Sequence, residues 1–104
     1  MAEKTFNGQA VEVDAEGYLV DHTQWNEGMA PGIAAEIGIE LTDEHMKVIR
    51  FMRSEYDNGG AVPTLRSIGK RSGVDMKGIY TLFPDGPVKK AAMIAGLPKP
   101  KSCV

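Results

Sequence analysis

Helix breakers recur along this chain and cut it into short pieces. Gly38, the run Asn58-Gly59-Gly60, Gly73, the run Pro84-Asp85-Gly86-Pro87 and Gly96 each supply a stop or a turn. Pro98 and Pro100 close the end of the chain to helix altogether. Proline lacks a backbone N–H and fixes φ, and glycine takes up the left-handed turn at a helix end. Five stretches between these breakers keep a helical period. A chain of 104 residues has room for one domain with one core. The expected fold is mainly α: a compact bundle of about five helices containing a helix-turn-helix-like pair, with a small N-terminal β-hairpin and an extended C-terminal arm. Residues 1–96 are expected to form the single domain and residues 97–104 the arm.

Asn7-Gly8 suits a type I′ hairpin turn, because both central residues of that turn need positive φ. Asp14-Ala15-Glu16-Gly17 reads as a second turn, leading into Tyr18, Leu19 and Val20. The first helix is expected over residues 23–36, with Trp25, Met29, Ile33 and Ile37 on its buried stripe and a kink or break at Pro31. The second has the clearest ends: Thr42 as N-cap, Asp43 and Glu44 at the positive end of the dipole, and Asn58-Gly59-Gly60 as the stop. Met46, Ile49, Met52, Arg53 and Tyr56 set its faces. A third helix is expected to start near Pro63 or Thr64, with Pro63 suited to its first turn, and to run to about Ser72; a fourth from an Asp75 cap through Leu82 and Phe83; and a fifth over residues 88–95. His45 is read as a surface or packing histidine, since His22, the other histidine, is too far off in sequence to make a metal pair.

Several function classes drop out. No apolar run approaches membrane-spanning length, and Met1-Ala2-Glu3-Lys4 does not open a signal peptide, so no membrane insertion is expected. One cysteine permits no internal disulfide, which points to a reducing, cytoplasmic setting. A monomer is expected. There is no glycine-rich phosphate loop, no cluster of metal ligands and no His/Asp pair beside the cysteine in sequence. No cofactor is expected, and catalysis by the isolated chain finds little support.

Two readings remain. Residues 65–80 resemble a helix-turn-helix: Gly69 sits where two helices would cross, Gly73 in the turn, and Val74 and Ile79 behind it. Arg66, Lys70, Arg71 and Lys77 would meet phosphates or a partner protein, while base-reading side chains are few: Met76, Lys77 and Tyr80. The charge supports either kind of partner, since residues 1–61 carry a net −8 and residues 62–104 a net +6. The other reading is a carrier. Cys103, the only cysteine, stands one residue from the end, beyond Pro98, Lys99, Pro100 and Lys101. A thiolate on a semi-stiff arm can accept sulfane sulfur and pass it on without catalytic groups of its own.

The segment Leu82-Phe83-Pro84-Asp85-Gly86-Pro87-Val88-Lys89, followed by Ile94-Ala95-Gly96-Leu97-Pro98-Lys99-Pro100, Cys103 and a last apolar Val104, resembles the DsrC/TusE family. Glu16-Gly17-Tyr18-Leu19, Gln24-Trp25, residues 38–45 and Arg50-Phe51-Met52-Arg53 extend the resemblance nearly end to end. It implies a persulfide carrier acting through Cys103, so a sulfur-transfer protein without a catalytic constellation is the expectation. The partners it implies are a sulfurtransferase donor and a sulfur-accepting protein: a TusBCD-like complex, a sulfite reductase or a tRNA thiolase. Family members that form a redox disulfide have a second cysteine eleven positions earlier; here that position is Ala92, which places the chain nearer the single-cysteine relay type. The alternative left open is a helix-turn-helix regulator of sulfur genes.

Overall fold

Asn7 and Gly8 both take positive φ, 52° and 78°, and close a two-stranded antiparallel hairpin of β1 (Ala2–Phe6) and β2 (Gln9–Val13). This is the type I′ geometry that Asn-Gly favours. The computed structural model describes residues 2–101, so Cys103 and Val104 of the expected arm lie outside the described residues. The strand period of two turns Phe6, Val11 and Val13 inward. Phe6 lies over Gly32, where a Cβ would come within 3.2 Å of its ring, so the hairpin docks through a glycine. In the second turn the Asp14 carboxylate accepts from the N–H groups of Glu16 and Tyr18, at 2.9 and 3.0 Å. A single bridge pairs Val13 with Leu19 beyond it.

The first expected helix is shorter than its stripe suggested. Two 3-10 turns, His22–Gln24 and Glu27–Met29, precede α1 (Ala30–Glu36). Pro31 falls in the first turn of α1, where its missing N–H has no partner to lose, so the helix begins at the proline instead of kinking across it. Trp25 is off the helix, extended between the two 3-10 turns. α1 ends in a Schellman turn at Gly38, with the Ile39 N–H on the Ala34 carbonyl at 2.9 Å.

The other four helices follow their caps: α2 (Asp43–Gly59), α3 (Leu65–Arg71), α4 (Met76–Leu82) and α5 (Pro87–Ile94). Thr64 accepts from the Ser67 N–H at 3.1 Å, and Asp75 from the Gly78 N–H at 2.8 Å. α2 is the spine, packing against α3, α4 and α5, while α1 packs on α5. Ile49, Met52, Ile68, Ile79, Phe83, Val88, Ile94 and Leu97 meet in a core that is all but closed to solvent. His45 is buried and ties two elements together. Thr42 N–H donates to its Nδ1 at 3.0 Å, so the proton sits on Nε2, which donates to the Leu82 carbonyl at 2.8 Å. Its ring also meets Phe83 edge-on, centroids 5.1 Å apart. No helix among the described residues is long and apolar enough to cross a membrane.

Candidate functional site

The site is built around the way α5 ends. A helix leaves its last four carbonyls without internal partners. In α5 all four are answered. Gly96, at φ 70°, lets its own N–H reach the Met93 carbonyl at 3.1 Å and the Leu97 N–H reach the Ala92 carbonyl at 3.0 Å, which is a Schellman turn. Trp25 Nε1 donates to the Ile94 carbonyl at 2.8 Å, and Arg53 Nη1 to the Ala95 carbonyl at 2.8 Å. The guanidinium is held from behind as well. Its Nη2 donates to the His22 carbonyl at 3.2 Å, and its central carbon lies 4.4 Å from the centre of the Trp25 ring. Burial pushes the Arg53 pKa down and the nearby Asp57 charge raises it part of the way back, but an arginine stays cationic throughout. A cation at this helix end also meets the negative pole of the dipole. Gly96 lies flat on the indole: a Cβ there would come within 2.6 Å of Trp25 Cγ.

From this root the chain continues along the body. Leu97, expected as the first residue of the arm, is wholly buried. Its side chain completes the core above the end of α5, so the packed body runs past the boundary expected at Gly96. Pro98 and Lys99 are exposed, Pro100 is buried again, and Lys101 is exposed. Lys99 Nζ pairs with Glu16, in the turn that follows β2, at 2.9 Å. Pro98, Lys99, Pro100 and Lys101 form one wall of a groove of about 510 Å³, faced by Tyr56 and by residues 60–64 ahead of α3. Ala92, at the position of the family's second cysteine, is fully buried beneath the arm root.

The basic residues of the helix pair are placed apart from this root. Gly69 meets Met76 where α3 and α4 cross, and a Cβ there would be 3.4 Å from Met76 Cε. Arg66, Lys70 and Lys77 are exposed, as are Met76 and Tyr80 beside them. Arg71 is turned back on the body: it pairs with Glu55, and its guanidinium carbon lies 5.4 Å from the Phe51 ring centre. Among the described residues no group of His, Cys, Asp and Glu could hold a metal ion.

Sequence reasoning missed the parts played by Trp25 and Arg53. The signal for Arg53 was present: it stands four residues after Ile49 and three before Tyr56, on the half-buried stripe of α2, where a charge needs partners. Trp25 had no comparable signal, because its partner, the Ile94 carbonyl, is 69 residues away.

Comparison with known proteins agrees with this architecture. The family model described as DsrC like protein matches residues 5–104. The chain is 41% identical over 107 residues to a sulfurtransferase TusE of Pectobacterium atrosepticum, covering 95% of this chain and 97% of the relative. Its fold is similar to the crystal structure of dissimilatory sulfite reductase I (DsrI), with a TM-score of 0.87, 38% identity and coverage of 99% and 100%. It is likewise similar to the oxidized gamma-subunit of the dissimilatory sulfite reductase (DsrC) from Archaeoglobus fulgidus, with a TM-score of 0.84, 37% identity and the same coverage.

Proposed function

Because this chain belongs to the DsrC-like protein family, we propose that it is a sulfur relay protein whose carrier atom is the Sγ of Cys103. The observation that supports the reading best is the closed, fully bonded end of α5, which hands the chain to a proline-stiffened segment leading toward the sole thiol. In loading, the Cys103 thiolate attacks the outer sulfur of a donor persulfide, R–S–SH. The donor S–S bond breaks, R–S⁻ leaves, and Cys103 becomes Cys–S–SH. In delivery an acceptor thiolate attacks that outer sulfur in the same way and the Cys103 thiolate is released. Neither step changes the count of electrons, so the carrier needs no redox cofactor.

The partners proposed are those of such a relay: a sulfurtransferase donor, and an acceptor such as a TusBCD-like complex, a sulfite reductase or a tRNA thiolase. A cytoplasmic, reducing setting keeps the thiol available. Ala92 leaves no resolving thiol within the chain, which favours one-way relay over an internal disulfide cycle. The test is intact and peptide mass spectrometry after exposure to sodium polysulfide. The expected result is a gain of one sulfur atom on Cys103, lost in Cys103→Ser with the fold retained. No gain on wild type, or a gain that survives in Cys103→Ser, overturns the reading.

Exposure of Arg66, Lys70 and Lys77 on a helix-turn-helix-like pair supports a second reading, nucleic-acid binding. A salt-dependent shift of duplex DNA that is lost on reversing these three charges would uphold it. No retardation of the wild type at physiological salt ends it.

A further inference from the structure

We infer that Arg53, seated on Trp25, is a positioning residue for Cys103: it sets the direction in which the cysteine-bearing segment leaves the body. The inference rests on the carrier reading above and deepens it. The two carbonyls that Trp25 and Arg53 hold belong to Ile94 and Ala95, the last two before the turn at Gly96. At most helix ends such carbonyls face water and their peptide planes are free to tilt. Here each is fixed by a side chain from a distant part of the chain, one from the segment between the 3-10 turns and one from α2.

The holders are themselves held. Arg53 is bonded to the His22 carbonyl and stacked on the indole, and the indole is covered by Gly96. Anchor, clamp and hinge thus form one closed set of contacts. A tilt of these planes is carried outward by every residue after them. Lys101 is five residues past Gly96, a reach of up to roughly 17 Å for extended chain, so an angular error at the root grows to several ångströms along the arm and unseats Leu97 and Pro100, which are buried against the body. Sulfur transfer needs two sulfurs in line, and misplacement on that scale removes the gain from holding reactants in register. The Lys99–Glu16 pair further out cannot substitute, because it is exposed and pairs of that kind contribute little.

The chain carries its own ruler, since it has one tryptophan and one cysteine. Time-resolved energy transfer from Trp25 to a dansyl group attached at Cys103 reads the spread of arm directions, with unlabelled protein as the donor-only control. Wild type, Arg53→Lys and Arg53→Met are compared well below their melting temperatures. The expected result is a narrow distance distribution in wild type and a clearly broader one in Arg53→Met. Arg53→Lys falls between, because it keeps the cation but cannot hold both carbonyls. A purely structural role would lower the melting temperature without changing the width at low temperature. Equal widths in wild type and Arg53→Met overturn the inference, and so does a wild-type distribution already as broad as that of the variant. Sulfur loading of the wild type from polysulfide is measured alongside. If wild type itself takes no sulfur, the carrier reading falls, while the energy-transfer result still decides whether Arg53 aims the arm.

Discussion

At Gly96 the absence of a single carbon sets the local geometry. Its φ of 70° suits glycine, and the Trp25 ring occupies the space that any Cβ would need. Gly96→Ala therefore meets two penalties at once, left-handed strain and a clash with an indole that is already hydrogen-bonded to the Ile94 carbonyl. The expected cost is about 2–4 kcal/mol, read as a lower urea midpoint with an unchanged slope. Gly73, between α3 and α4, is also at positive φ but has nothing within 4 Å of a Cβ, and gives a control in which only the strain applies. The contrast shows why the conformational signal of a glycine is legible from sequence while its packing is not. Gly96 could be foreseen as a helix stop, but the ring lying over it could not, because that ring arrives from a segment 71 positions earlier.

Among the elements, those with local chemistry at both ends were legible. Asn7-Gly8 specified its turn, Thr42 and Asp75 capped the helices they precede, and Gly38 closed α1, whereas Pro63, expected in the first turn of α3, lies ahead of its Thr64 cap. The segment over residues 22–29 was not legible. Its apolar residues keep a helical spacing, yet Trp25 leaves that register to reach α5, and a tertiary hydrogen bond outweighs a local period. At the candidate site, the clamp beneath the arm depends on pairings between distant segments, which no local pattern announces. His45 shows the same limit at the element scale, since its role is to join the start of α2 to the end of α4. His45→Ala would strand the Thr42 N–H and the carbonyl of the half-buried Leu82 and remove an edge contact with Phe83. A loss of about 1–3 kcal/mol is expected by denaturant titration. In the wild type, long-range ¹⁵N–¹H NMR of the imidazole should show the proton on Nε2.

Across the whole molecule the acidic first half and the basic second half are joined by only two ion pairs among the described residues, Arg71–Glu55 and Lys99–Glu16. Most of the basic charge of the second half remains on the surface, available to a partner. With a single thiol in the chain, mild oxidation has one covalent outcome among copies of this protein, a disulfide-linked dimer. Non-reducing gels should show that dimer and no faster-migrating monomer, and Cys103→Ser should abolish it. The bonded end of α5 has a consequence in time as well as in space. Helix ends ordinarily fray, and their amide hydrogens exchange with solvent within the shortest-lived openings. The Gly96 and Leu97 amides are bonded to Met93 and Ala92, beneath carbonyls gripped by Trp25 and Arg53. Releasing them requires α2 and the turn at residue 22 to let go together. Deuterium should therefore enter Gly96 and Leu97 as slowly as it enters the middle of α2, making the last turn of α5 one of the slowest-exchanging places in the protein.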